Sequence, residues 1–209
     1  MMSPKRSSLR WCVPMLAALA LSQTALHAHH LPPGFEGVDE FEHSRAMLAG
    51  LRHPLSGWDH CLALIAIGAT AALMTRRSFL LPVMLVGGLL AGGALGMGGG
   101  VLPQIPFLAA AVLLAAGGVM TLRNRAMSLL MVTTTGAFGL CQGASHAAMM
   151  ASHAALGAYS SGFVMASVAL MFSGALVATL ARRLPSRAMP WAGASMIVAG
   201  LLSVVLQLS

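Results

Sequence analysis

The run His53-Pro54-Leu55-Ser56-Gly57-Trp58-Asp59-His60 places two imidazoles and a carboxylate within eight residues. Imidazole nitrogen and carboxylate oxygen both ligate divalent transition metals, and a carboxylate beside a ligating histidine also orients its ring. The run opens an apolar stretch that ends at Met74, with Arg76 and Arg77 beyond it. A membrane helix needs about 20 residues, and twenty counted back from Met74 begins at Leu55. Asp59 and His60 are therefore expected inside or at the lip of a bilayer. Ionisable groups there are costly, and they face a cavity, a partner or an ion. On one helix His53 and His60 share a face, with Asp59 about 100° round from His60. A break near Gly57 would bring the three closer. The competing structural reading pairs Asp59 with Arg52 or uses it to cap a helix end.

A second set of polar groups lies further along. Thr135, Gly139, Gln142 and His146 form one helical stripe, which Met149 extends. His153 follows His146 by seven residues. Such a stripe serves as a path for a polar substrate or as hydrogen-bonding glue between helices, and the spacing does not choose between them. Ser160, Ser167 and Met171 make a weaker stripe that reads as packing.

The elements that must position these residues are membrane helices. The chain has 209 residues, is 57% hydrophobic and only 8% charged, against about 25% charge in a soluble domain. The net charge of +7 does not point to nucleic acid, because the basic residues are scattered in short loops between apolar segments. Lys5, Arg6 and Arg10 precede a short apolar stretch from Trp11 to Leu21, and Leu26-His27-Ala28 offers a cleavage site, so residues 1–28 read as a secretory signal peptide. Residues 29–52 form an outward polar segment with His29, His30, His43, Glu36, Asp39, Glu40 and Glu42. It is either a solvated linker or a collector of cations. Its last part, 41–52, alternates apolar and polar residues and reads as a short interfacial helix. Pro54 suits the first turn of the helix that follows.

Residues 53–209 then form a transmembrane domain of six helices, near 55–74, 79–98, 104–122, 126–147, 155–181 and 189–207. The fold class is all-α and polytopic. Basic loops follow the first, third and fifth segments (Arg76 and Arg77; Arg123 and Arg125; Arg182, Arg183 and Arg187), and the intervening loops lack Lys and Arg. The positive-inside rule then puts the mature N-terminus and the C-terminus outside, as a secretory signal also requires. No Asp or Glu occurs after Asp59. Gly88, Gly92, Gly96 and Gly100 recur every four residues, a ridge for close helix packing. Gly98-Gly99-Gly100 with Pro103 ends that helix. Cys61 and Cys141 read as buried packing, with a disulfide between them as the alternative. Sixteen Met residues fill lipid-facing and core space, although thioethers also bind soft metals. The chain contains no P-loop and no His-Glu-x-x-His helix.

The His53 to His60 run resembles the His-Pro-x-x-Gly-x-Asp-His signature of the HupE/UreJ family of small membrane proteins. The leader, the His-rich outward N-terminus and about six spans are also similar over nearly the whole mature chain. The resemblance implies a secondary permease for nickel or cobalt in the bacterial cytoplasmic (inner) membrane, with a periplasmic mature N-terminus and with a hydrogenase or urease maturation system as partner. It implies that His53, Asp59 and His60 bind the ion. Where the family's fourth span carries a His-Gly-His-Ala-His-Gly-x-Glu-like stretch, this chain has Gln142-Gly143-Ala144-Ser145-His146-Ala147-Ala148-Met149, a softer and less charged set. Gln142, His146 and Met149 join the candidate ligands on that basis.

The expected function is thus uptake of a divalent transition-metal ion, Ni2+ or Co2+, as cargo; no permanently bound cofactor and no enzyme activity are expected. Two charges moved through 100 mV supply about 4.6 kcal/mol without ATP. A ligating imidazole must be neutral, so uptake should weaken below about pH 6.5. One alternative is a non-transporting metal sensor or metallocentre-assembly accessory protein. A remote alternative is an intramembrane serine hydrolase built on Ser145, but His146 is its immediate neighbour and points about 100° away on a helix.

Overall fold

In the computed structural model, the structure describes residues 43–74, 78–100, 107–149, 153–183 and 188–208. Of residues 148–149 and 153–156 it describes the backbone alone. The expected signal peptide and most of the outward polar segment lie outside the described residues. The described chain forms helices and no strands: α1 (His43–Ser56), α2 (Trp58–Leu73), α3 (Leu80–Met97), α4 (Leu108–Leu122), α5 (Arg125–Met149), α6 (His153–Ala181) and α7 (Ala188–Leu208). Helices α2 to α7 fall on the six apolar segments read from the sequence. Among them α3, the Gly157–Ala181 part of α6, and α7 are long and apolar enough to cross a membrane. The pair α1 and α2 qualifies together as one bent span, and α4 is a shorter apolar helix.

The first segment departs from a single straight span. The chain bends by 85° between α1 and α2, at Gly57, whose backbone is extended (φ −112°, ψ 118°). Pro54 therefore does not open the membrane helix: it lies buried in the last turn of α1. The physical reason is the bend itself, because extended Gly57 ends one ladder of backbone hydrogen bonds and α2 starts a new one. The Ser56 hydroxyl donates to the carbonyl of His53 at 2.6 Å, pairing an acceptor that the terminated helix leaves over.

Glycines decide how the helices meet. Helices α3 and α5 lie side by side in parallel, with Gly88, Gly92 and Gly96 against the backbone of residues 136–144 and with Gly139 and Gly143 against Leu85 and Leu89. The expected ridge holds for three of its members, whereas Gly100 lies past the helix end, after a turn in which Gly99 takes φ +79°. Helix α6 buttresses both arms of the bend. Its Gly162 rests on the Met47 carbonyl of α1, and its Gly174 on the Ile65 carbonyl of α2. In return Gly50 abuts Tyr159, and Gly68 abuts Met171. Helix α4 packs antiparallel to α7 through Gly117, Gly193 and Gly200. Such small-residue seams let backbones approach where lipid offers no hydrophobic drive between helices.

Helix α2 is the hub, in contact with α1, α3, α4, α6 and α7. Ala63, Ala66 and Ile67 on it are fully buried. Large apolar side chains such as Leu90, Phe172, Val198 and Leu208 stay exposed on the outer helices, the pattern expected of a lipid-facing surface. Met131, Met120 and Met171 are core residues, whereas Met165 and Met97 are exposed. Cys61 and Cys141 are free thiols, each half-buried, so the disulfide alternative is not formed.

Candidate metal centre

The bend brings the motif to the start of the hub helix. Asp59 lies in the first turn of α2, where a carboxylate is favoured by the helix dipole. Its Oδ1 accepts the backbone N–H of His60 at 2.9 Å and lies 3.0 Å from Nδ1 of the same residue. With Nδ1–H donating to the carboxylate, the lone pair of His60 is held at Nε2. That atom meets the side-chain Nε2 of Gln142 on α5, which donates to it. His60 and Gln142 are both buried. A carboxylate on one ring nitrogen, which leaves the lone pair on the other, is the arrangement that prepares a histidine for metal. Asp59 is thus placed to orient the ring.

The Gln142 amide holds the place a metal would take on His60. Its Oε1 is buried without a hydrogen-bond partner among the described residues. Turning the amide over exchanges donor for acceptor and sets an oxygen ligand beside Nε2. The Phe138 ring, 5.6 Å from that of His60, forms an apolar wall.

His53 is placed with a different partner. From the last turn of α1 its ring meets His146 of α5 edge-on, with centroids 4.3 Å apart and planes at 81°. Both are nearly inaccessible, at 2% and 4% exposure. Tyr159 and Phe163 of α6 enclose them, with ring centroids 4.8–6.0 Å away and their own planes within 9° of parallel. The candidate residues are thus distributed as an Asp59–His60–Gln142 chain and a His53–His146 pair. Among the described residues no three His, Cys, Asp or Glu side chains are grouped to hold a metal ion. The side chains of Met149 and His153 lie outside the described set.

Tyr159 and Phe163 escaped the sequence reading. The one available signal was the chain's single tyrosine followed four residues later by an aromatic, a spacing that puts both on one helix face. A cavity of about 200 Å³ reaches His146 between α3, α5 and α6, with Tyr159, Ser160 and Phe163 on its wall and Gly93 and Gly143 at its floor. Three more buried polar groups stand on the helices of the site, further from the histidines: Thr70 on α2, Thr135 on α5 and Ser167 on α6. Their hydroxyls have no hydrogen-bond partner among the described residues. Thr135 belongs to the stripe expected on α5, and Ser167 to the weaker one on α6.

No solved structure gives a significant match to this chain. A curated relative, "Protein HupE" of Rhizobium leguminosarum bv. viciae, is 30% identical over 192 residues, covering 88% of this chain and 95% of the relative. A family model described as HupE / UreJ protein matches residues 16–203, which take in the bend, the Asp59–His60–Gln142 chain, the His53–His146 pair and all but the last five residues of α7. The motif at the bend and these two matches agree: the chain belongs to the HupE/UreJ family.

Proposed function

We propose that this protein is a secondary permease that takes up a divalent transition-metal ion, nickel or cobalt, across a bacterial inner membrane. The observation that carries the reading is the Asp59–His60–Gln142 chain, which holds a buried imidazole lone pair at the start of the hub helix. A charged and two polar side chains in an apolar interior are expensive, and a cation is the ligand that repays them. The ion would exchange water for Nε2 of His60 and, after the amide turns, for Oε1 of Gln142. His53 and His146 would offer a further pair of nitrogens under the aromatic walls, and the cavity at His146 would admit the partly hydrated ion. Thr70, Thr135 and Ser167 would carry it on along α2, α5 and α6. No step uses ATP, and the membrane potential suffices for accumulation. Six spans with an outward N-terminus, a cleaved leader and supply of the ion to a hydrogenase or urease maturation system complete the proposal.

Accumulation of labelled nickel and cobalt in cells at low external concentration tests it. His60→Ala is expected to abolish uptake while the protein still reaches the membrane. Transport equal to the wild type would remove His60 from the path. Binding by purified protein without flux into sealed vesicles would favour the sensor or accessory reading instead.

A further inference from the structure

The opposite end of the bundle holds a second, larger cavity of about 470 Å³. The last turn of α2 (Leu73, Met74), the start of α3 (Leu80), the end of α4 (Val119 to Arg123), the start of α5 (Arg125 to Val132) and the start of α7 (Met189) surround it. Its charged lining residues are Arg123 and Arg125; Ser128 is polar and the rest of the wall is apolar. We propose that this cavity binds an anionic phospholipid, with the phosphate on Arg123 and Arg125 and the upper acyl chain against Leu80, Val119, Leu129 and Val132.

Three observations converge. First, among the described residues the two guanidiniums have no carboxylate side chain beside them, because the one described, Asp59, stands at the other end of α2. Second, three helix N-termini (α3, α5 and α7) meet this cavity without an acidic residue in any first turn; Asn124 Oδ1 accepts the Met127 N–H of α5 at 2.9 Å, a neutral cap, so the positive dipole ends add to the arginines. The C-terminal ends of α2 and α4 also meet here and offset part of that field; the Met74 N–H pairs the Thr70 and Ala71 carbonyls and the Arg123 N–H pairs that of Val119. Third, Arg123 sits in the left-handed region (φ 50°, ψ 36°) at the C-cap of α4, the position glycine fills at least strain. A large cationic side chain occupies it instead and lines the cavity.

The apolar wall separates a lipid from a free phosphate. The volume is that of a ligand pocket, far beyond what an inorganic phosphate fills, and exposed Phe79, Leu122 and Leu129 flank it on the outer surface. Basic pockets between membrane helices recognise lipid phosphates in this way.

Native mass spectrometry of the full-length protein in detergent tests the assignment, with phosphatidylglycerol, phosphatidylcholine and inorganic phosphate titrated separately. A retained phosphatidylglycerol adduct is expected, stronger than phosphatidylcholine and not displaced by millimolar phosphate. In the double variant R123G/R125Q, whose glycine suits the left-handed backbone, binding should weaken roughly thirtyfold. R182Q/R183Q removes the same charge from a loop outside the cavity and should bind as the wild type does. Equal loss in both double variants would reduce the effect to general surface charge and overturn the site. So would unchanged binding in R123G/R125Q. Phosphate binding without a lipid adduct would overturn the lipid as occupant. A wild-type-like melting profile of delipidated R123G/R125Q excludes misfolding as the cause of any loss.

Discussion

The two ends of the helix bundle use polar residues in opposite ways. At the α1–α2 bend, polar groups are buried and set against one another: Asp59 bonds His60, His60 bonds Gln142, and the His53 ring lies edge-on to that of His146. At the arginine end the charged groups of the cavity are exposed, of one sign, and among the described residues no carboxylate side chain meets them. A buried polar cluster in a low-dielectric setting is stable only when its partners are fixed, so the first end demands close packing. An exposed basic ring tolerates loose packing, because water, counter-ions or lipid can complete it. Glycine seams occur at both ends, with Gly117 against Gly193 near the arginines. Gly50, Gly68, Gly162 and Gly174 clamp α6 onto both arms of the bend, whereas the arginine end encloses the wider cavity.

The sharpest way to break the comparison is to pry open the clamp. A side chain at Gly68 would overlap the carbonyl of Met171, a backbone atom that cannot step aside. Gly68→Leu is expected to leave no monodisperse folded protein on size-exclusion chromatography. Gly93→Ala, where nothing lies within 4 Å of a new Cβ, should elute as the wild type does. If both elute normally, the histidine end is not held by this seam.

Removal of the orienting carboxylate comes next. Asp59→Asn keeps the shape but no longer holds the Nδ1–H tautomer by charge, and loss of such a partner weakens metal binding about 10–100-fold. Isothermal titration with Ni2+ or Co2+ measures it. Unchanged affinity would make Asp59 a structural cap alone.

Gln142→Ala should then cost roughly tenfold in apparent affinity, at the low end of the same range, because it removes the amide oxygen proposed to meet the ion. Gln142→Glu supplies an oxygen without the donor and is expected to retain more affinity than the alanine variant. An alanine variant that binds as well as the wild type would show that the amide only fills space.

The smallest effect is expected at the basic end. Arg182 is exposed, and Arg182→Gln should alter thermal stability by no more than about 0.5 kcal/mol and leave uptake unchanged. A large uptake defect there would dissolve the distinction between the two ends.

Much of this architecture was legible before any coordinates. Helices α2 to α7 fall on the apolar segments because length and hydropathy are local properties of the chain, and three of them, with the bent α1–α2 pair as a fourth, are long and apolar enough to cross a membrane. The Gly88-Gly92-Gly96 ridge was readable because a four-residue repeat lies on one helix face. The motif stood out because its residue types are costly in lipid. Pro54 was misplaced because its fixed φ suits the first turn of a helix, while its actual role at the close of α1 depends on a bend that the local pattern does not encode. The aromatic walls Tyr159 and Phe163 were missed because an aromatic in an apolar segment carries no contrast with its neighbours.

By itself, the sequence settled the helical membrane class, the order of the segments, the polar stripe on α5 and the residue types able to hold a cation. The tertiary structure alone decided that the chain turns by 85° at Gly57, that His53 meets His146 while His60 meets Gln142, and that two arginines share one cavity with three helix N-termini. The reason is geometric. Hydropathy and spacing fix what each helix is and which residues share its face, but which face meets which neighbour depends on rotation and crossing, and these are set by backbone contacts at glycines far apart in the chain.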